Sequence, residues 1–284
     1  MVERRRVVDE AEVEAKAWPF VFRAGPRRLL AGVVGFLLLA WAAVIVVDVV
    51  LAQDDVILWM HLFNDRPVEW AQWLLLPAAA VSAAYLAARL PDGEAARFFL
   101  LFAVGVSLML VEDAGDVRHV ISDYVVDQVG GRVRGVRTRT ISDLAYFALL
   151  AAVPVYALLR YGRSVWRVRA VRGYLAGGYG LYAVAAIGSG LSGLGLYQAV
   201  GRFVAEVVFA GRLALPTWAE PGWSHFFIAD SALEETIETL AAGLMLGLVV
   251  AYAEWYRTGS DAPADAPADA PADAPAREGA PASP

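Results

Sequence analysis

The chain of 284 residues contains no cysteine. That excludes disulfides, thiolate metal ligands, iron–sulfur clusters and a cysteine nucleophile, and it leaves the redox compartment undetermined. Lysine is nearly absent too. Lys16 is the single lysine among 24 basic residues, the rest being arginine, which reads as a compositional bias. Charge itself is scarce, at 19% against the roughly 25% of an ordinary soluble domain. The basic residues are scattered over loops rather than gathered in one domain, so no nucleic acid is expected as a partner. Missing as well are a Gly-rich phosphate loop and the patterns H-E-x-x-H, G-x-S-x-G and S-x-x-K. No motif set specifies a family. A cleavable signal peptide is not expected, because the first apolar run begins near Leu29, behind a long charged segment.

What is present is apolar. The hydrophobic fraction is 58%, arranged in runs near the length a bilayer requires. The sequence therefore predicts an all-α, polytopic integral membrane bundle of about six transmembrane helices, over 29–51, 68–90, 97–117, 141–161, 173–197 and 232–256. The charged segment 1–28 precedes this domain of residues 29–257, with a short interfacial helix expected around Ala11 to Phe22. The tail 258–284 repeats Asp-Ala-Pro-Ala. It has too little apolar surface to fold and a proline at every fourth position, so a disordered tether is expected. Its Asp261, Asp265, Asp269 and Asp273 supply much of the net charge of −6.

Orientation follows from arginine and lysine near span ends. Lys16, Arg23, Arg27 and Arg28 flank the first span, and Arg160, Arg163, Arg167, Arg169 and Arg172 follow the fourth. The loop after the first span has only Arg66. Arg118, Arg132, Arg134, Arg137 and Arg139 after the third span are an exception. The balance places both termini in the cytoplasm. The acidic end of the third span and the acidic start of the sixth then share the extracytoplasmic side. Asp48, Asp143, Glu206, His61, His119 and His225 join them there.

The third span carries the sharpest signal. Its purely apolar or small stretch, from Phe98 to Val111, runs directly into Glu112, Asp113, Asp116 and His119. Such a stretch covers only about 21 Å of a hydrocarbon core roughly 30 Å thick. If this segment spans, Glu112 and Asp113 at least must lie at membrane depth, where an ionisable group is by default functional. At about 100° per residue, Glu112, Asp116 and His119 share one face. If the helix continues to the Gly130-Gly131 break, Asp123 and Asp127 extend that stripe, and Gly105 on it lets a neighbour approach. Asp116 and His119 have the i,i+3 spacing of carboxylate–imidazole metal sites in helix bundles.

The sixth span opens Asp230-Ser-Ala-Leu-Glu-Glu-Thr-Ile-Glu238. Ser231 and Glu234 have capping-box spacing, which makes Glu234 a structural acid. Glu238 lies deeper, followed by an apolar stretch again too short to span alone. Candidate cation- or proton-binding residues are thus Glu112, Asp113, Asp116, Glu235 and Glu238. Candidate ligands for a divalent metal are Glu112, Asp116, His119 and Glu238, with Arg118, Glu234, His225 and Glu206 as supporting or lid residues. Buried carboxylates this close share protons, pair with Arg or His, or bind a cation. Small residues of the fifth span (Gly173/Gly177, Ala176/Gly180, Ser189/Gly193) are spaced for close helix packing, or for a broken segment lining a path.

Three functional readings follow. The first is binding of a small cation or proton for transport or permeation. The second is a metal-dependent membrane-embedded enzyme acting on a lipid or other anionic substrate. The third is a non-catalytic assembly or sensor protein whose acids form an ion-pair network. The expected partners are the bilayer and a small cation or proton, with a homo-oligomer left open; no catalytic residue is identified.

Overall fold

The computed structural model describes residues 20–51, 57–64, 67–216 and 218–258. The disordered-tail expectation lies outside the described residues. So does the interfacial helix, apart from a 3-10 turn at Phe20–Arg23.

The described chain is all-α save for one short hairpin. Helix α1 is Pro26–Val44, with proline in its first turn where no amide donor is needed, and it continues as a π turn, Ile45–Val50. There follow α2 (Leu58–Phe63), α3 (Pro67–Arg89), α4 (Glu94–Gly115) and α5 (Val117–Val129). Strands β1 (Arg132–Val133) and β2 (Val136–Arg137) pair antiparallel, Arg132 opposite Arg137. Then come α6 (Thr138–Trp166), a 3-10 turn Arg169–Val171, and α7 (Arg172–Leu191). Helix α8 (Leu196–Arg202) runs on as a π turn, Phe203–Val208, and α9 (Pro221–Phe227) passes through another, Ile228–Leu233, into α10 (Glu234–Thr258).

Among the described residues, five helical segments are long and apolar enough to cross a bilayer: Pro26–Val50, Leu58–Arg89, Glu94–Gly115, Thr138–Trp166 and Gly222–Thr258. A sixth crossing exists only if Arg169–Leu191 and Leu196–Val208, bent by 111° at the break between them, count as one. The single straight span expected over 173–197 is thereby corrected. Gly195, at φ +83°, takes a left-handed conformation that ends the run, and the chain turns back.

Helix α10 is the axis of the bundle. Its residues from Ala241 to Gly243 and from Met245 to Ala253 are buried, and α1, α3 and α7 pack around it. Helix α4 packs on α3 and α6 and reaches α10 through Phe99, whose ring centroid is 4.8 Å from that of Tyr252. The glycines of α7 explain its close seat. A Cβ on Gly178 would lie 3.2 Å from Met245 Cγ and 3.4 Å from Met245 N, so the backbones of α7 and α10 approach as small-residue packing allows. Gly105 similarly admits Pro154 of α6, 3.1 Å from where its Cβ would stand. Large apolar side chains face outward, Leu159 80% exposed and Leu39, Leu74 and Leu149 nearly as much, a surface compatible with membrane insertion.

Two polar anchors hold the loops. Asp48, in the π turn after α1, accepts the backbone N–H groups of Leu58 and Trp59, both at 2.9 Å, and so caps α2. Asp143 of α6 accepts the hydroxyl of Ser122 and ties α5 to α6.

Candidate acidic pocket

A cavity of about 320 Å³ opens at the end of the bundle where α4 stops and α10 starts. Its walls carry Glu69, Glu112, Asp113, Asp116, Asp230, Glu234, Glu235 and Glu238, against one guanidinium, Arg118, and one imidazole, His119. All five expected cation- or proton-binding residues line it. At its mouth Asp116 is exposed and His119 half-buried, while the side chains of Glu112 and Arg118 are 13% exposed. The shared location of the two acidic helix ends, expected from the span topology, is thus a feature of the fold.

The floor is organised by a residue that the sequence reading passed over. Gln72 of α3 is fully buried, and its Nε2 donates to Asp113 Oδ2 and to Glu238 Oε2, each at 2.9 Å. Trp73 Nε1 donates to the same Asp113 oxygen at 2.8 Å. One turn of α3 therefore ties the carboxylates of α4 and α10 together. The available signal was a polar residue inside the apolar run Trp70-Ala-Gln-Trp-Leu-Leu-Leu76, a position tolerable in lipid only when its amide is partnered. Asn64, Glu69 and Asp230 were passed over as well.

At the mouth, Arg118 makes most of the compensating contacts. Its Nε lies 3.7 Å from Glu112 Oε1, and its backbone N–H donates to Glu112 Oε2 at 3.1 Å. Its guanidinium also reaches Ser189 of α7 and lies 5.0 Å from the ring centroid of Phe147. Asp116 and His119 contact each other directly through Oδ1 and Nδ1.

The reason they meet differs from the continuous stripe. Asp116 has φ +47° and separates α4 from α5, so helical phase is lost there. Asp123 and Asp127 consequently leave the pocket; Asp123 pairs with Arg139 instead. The capping box fails for a related reason. The last helix begins at Pro221, and Ser231, inside a π turn, bonds Asn64 Oδ1 at 3.2 Å. Glu234 accepts the hydroxyl of Tyr197 at 2.5 Å and faces the pocket.

The supporting residues divide. Arg118 and Glu234 line the pocket. His225 does not; it is buried at a crossing where its carbonyl oxygen would lie 1.7 Å from a Cβ on Gly201, which locks α9 against α8. Glu206 is exposed on the π turn after α8, and His61 is exposed on α2.

The proposed metal ligands do not converge. Glu112 turns to Arg118, Asp116 to His119 and Glu238 to Gln72, and among the described residues no three His, Asp or Glu side chains gather as a ligand set. The carboxylates line a space rather than enclose a point. Deeper in the bundle, a smaller cavity of about 110 Å³ shares Phe147, Leu150 and Tyr182 with the pocket and is otherwise walled by apolar groups and Tyr179. Tyr179 donates to the carbonyl of Pro154 at 3.3 Å. Comparison with protein-family profiles, with curated proteins and with solved structures finds no match.

Proposed function

We propose that this is a cation-binding membrane protein whose one-sided acidic pocket takes up a small cation or protons for transport or permeation. The carrying observation is the charge imbalance of the pocket walls, where eight acidic side chains face Arg118 and His119. Carboxylates removed from water are compensated by protons, basic partners or a bound cation. Arg118 engages Glu112, and the acids grouped around Gln72 remain to be met by protons or an incoming cation.

The spread of the carboxylates favours protons, a hydrated ion or an organic ammonium over an ion held by three direct protein ligands. We place the termini in the cytoplasm and the pocket on the opposite side of the cell membrane, following the arginine distribution. Onward movement would pass the mostly apolar walls of the smaller cavity beyond Tyr182, so conduction needs that region to open further. A metal-dependent lipid enzyme would require a tighter ligand set than the described residues form. A purely structural network would account for Arg118 and Glu112 but leaves Glu234, Glu235 and Glu238 without a basic partner of comparable closeness.

The test is equilibrium binding and proteoliposome flux with the full chain, using protons, monovalent ions, divalent ions and small ammonium ions separately. Saturable uptake or binding that disappears in Glu238→Gln and persists in Glu206→Gln is expected. Absence of both binding and flux for every ion would sink the reading.

A further inference from the structure

A second cavity, about 770 Å³, lies at the other end of α10. Glu234 in the acidic pocket and Glu254 beside this second cavity are twenty residues apart on one helix, a rise of about 30 Å and therefore about one hydrocarbon thickness. The cavity is framed by three helix ends: the approach to α1, the turn before α7 and the last turns of α10. Arg23, Arg27, Arg28 and Arg169 line it, with Tyr174 and Trp255 as aromatic walls and Glu254 as the carboxylate of the lining. The indole N–H of Trp255 is buried without an acceptor among the described residues.

We propose that this cleft binds a phosphate-bearing anion at the membrane surface. Guanidinium groups match phosphate oxygens bidentately and bind them where ammonium groups act only as point charges. The cavity is within the about 300–1,000 Å³ range of ligand sites. Its position at the ends of spanning helices, with tryptophan and tyrosine beside arginine, is that of the headgroup layer. A lipid phosphodiester and a free phosphate present the same oxygens to these side chains, and the lipid alone adds acyl chains along the outward-facing leucines.

The experiment is native mass spectrometry of the full-length protein in neutral detergent, titrated separately with phosphatidylglycerol, phosphatidylcholine and inorganic phosphate. Wild type should retain phosphatidylglycerol in preference to phosphatidylcholine. Arg27→Gln combined with Arg169→Gln should weaken that retention about tenfold or more, following the contribution of basic residues at an anionic surface. Competition by inorganic phosphate at millimolar concentration would assign the site to the phosphate group alone; no competition would assign it to the lipid. Trp255→Phe, which removes the indole donor and keeps an aromatic ring on the wall, should weaken retention several-fold. Equal retention of both lipids without phosphate binding, or retention unchanged in the double-arginine variant, would overturn the proposal. Neither result bears on the acidic pocket.

Discussion

Asp113 on α4 and Glu238 on α10 accept hydrogen bonds from the same nitrogen, Nε2 of Gln72, each at 2.9 Å. A neutral amide thus bridges two acids from different helices. Its own Oε1 is buried without a partner among the described residues, so Gln72 is held by what it donates.

Removing that amide should loosen the pocket floor. Gln72→Leu leaves the two carboxylates without their shared donor, at a cost of about 1–3 kcal/mol for buried acceptors left unsatisfied. A lower melting temperature in detergent is expected, with partial recovery when Glu238→Gln is added, because the introduced amide can donate to Asp113. A single variant as stable as wild type would show that the bridge contributes nothing.

Glu112 and Arg118 make the second prediction. Both side chains are 13% exposed, and removing one partner of a mostly buried pair costs on the order of 3 kcal/mol by stranding the other charge. Arg118→Met should therefore destabilise the protein, and Glu112→Gln added to it should restore part of the loss. Measured as a double-mutant cycle by thermal unfolding, the coupling should exceed about 1 kcal/mol. Arg118→Met should also bind cations more tightly than wild type, since it removes the guanidinium from the walls.

These relationships show what the sequence could disclose. Glu112, Asp113 and Glu238 were legible because an apolar run too short to span draws attention to the charges that adjoin it, an argument from length alone. The convergence of the two acidic ends followed from counting spans. Gln72 was obscure because a neutral polar residue among apolar ones gives no period and no charge; its partners are 41 and 166 residues away. The helix boundaries failed where local signals competed. At Ser231 a valid capping spacing was overridden by a helix already begun at Pro221, and at Asp116 a left-handed residue ended a helix that the pattern would have continued. Asp48, which the span topology put on the same side as the acidic ends, has its two oxygens occupied by backbone amides of α2.

Helix crossings supply the third prediction. A Cβ on Gly201 would stand 1.7 Å from the carbonyl oxygen of His225, whereas one on Gly180 meets nothing within 4 Å. Gly201→Ala must push apart two backbones, so its cost should reach or exceed the about 1–3 kcal/mol typical of overpacking. Gly180→Ala should be neutral or stabilising by up to about 1 kcal/mol, because alanine favours the helix. The pair is compared by melting temperature in the same detergent. Equal behaviour would mean that α8 and α9 do not cross as closely as described.

The absence of native cysteine permits a direct check of which ends face which side. Tyr124 on α5 is 66% exposed beyond the mouth of the acidic pocket, and Arg167 is exposed after α6, beside the turn that carries Arg169. With about one membrane thickness between the two pockets, single cysteines at these positions should lie in different aqueous compartments. A membrane-impermeant maleimide added to sealed vesicles of defined orientation should label one of Tyr124→Cys and Arg167→Cys at once, and the other only after permeabilisation. The identity of the first-labelled site fixes the side from which a cation enters the pocket. Prompt labelling of both from one side would place the two cavities in the same compartment, and the bundle could not then carry a pocket on each face of the bilayer.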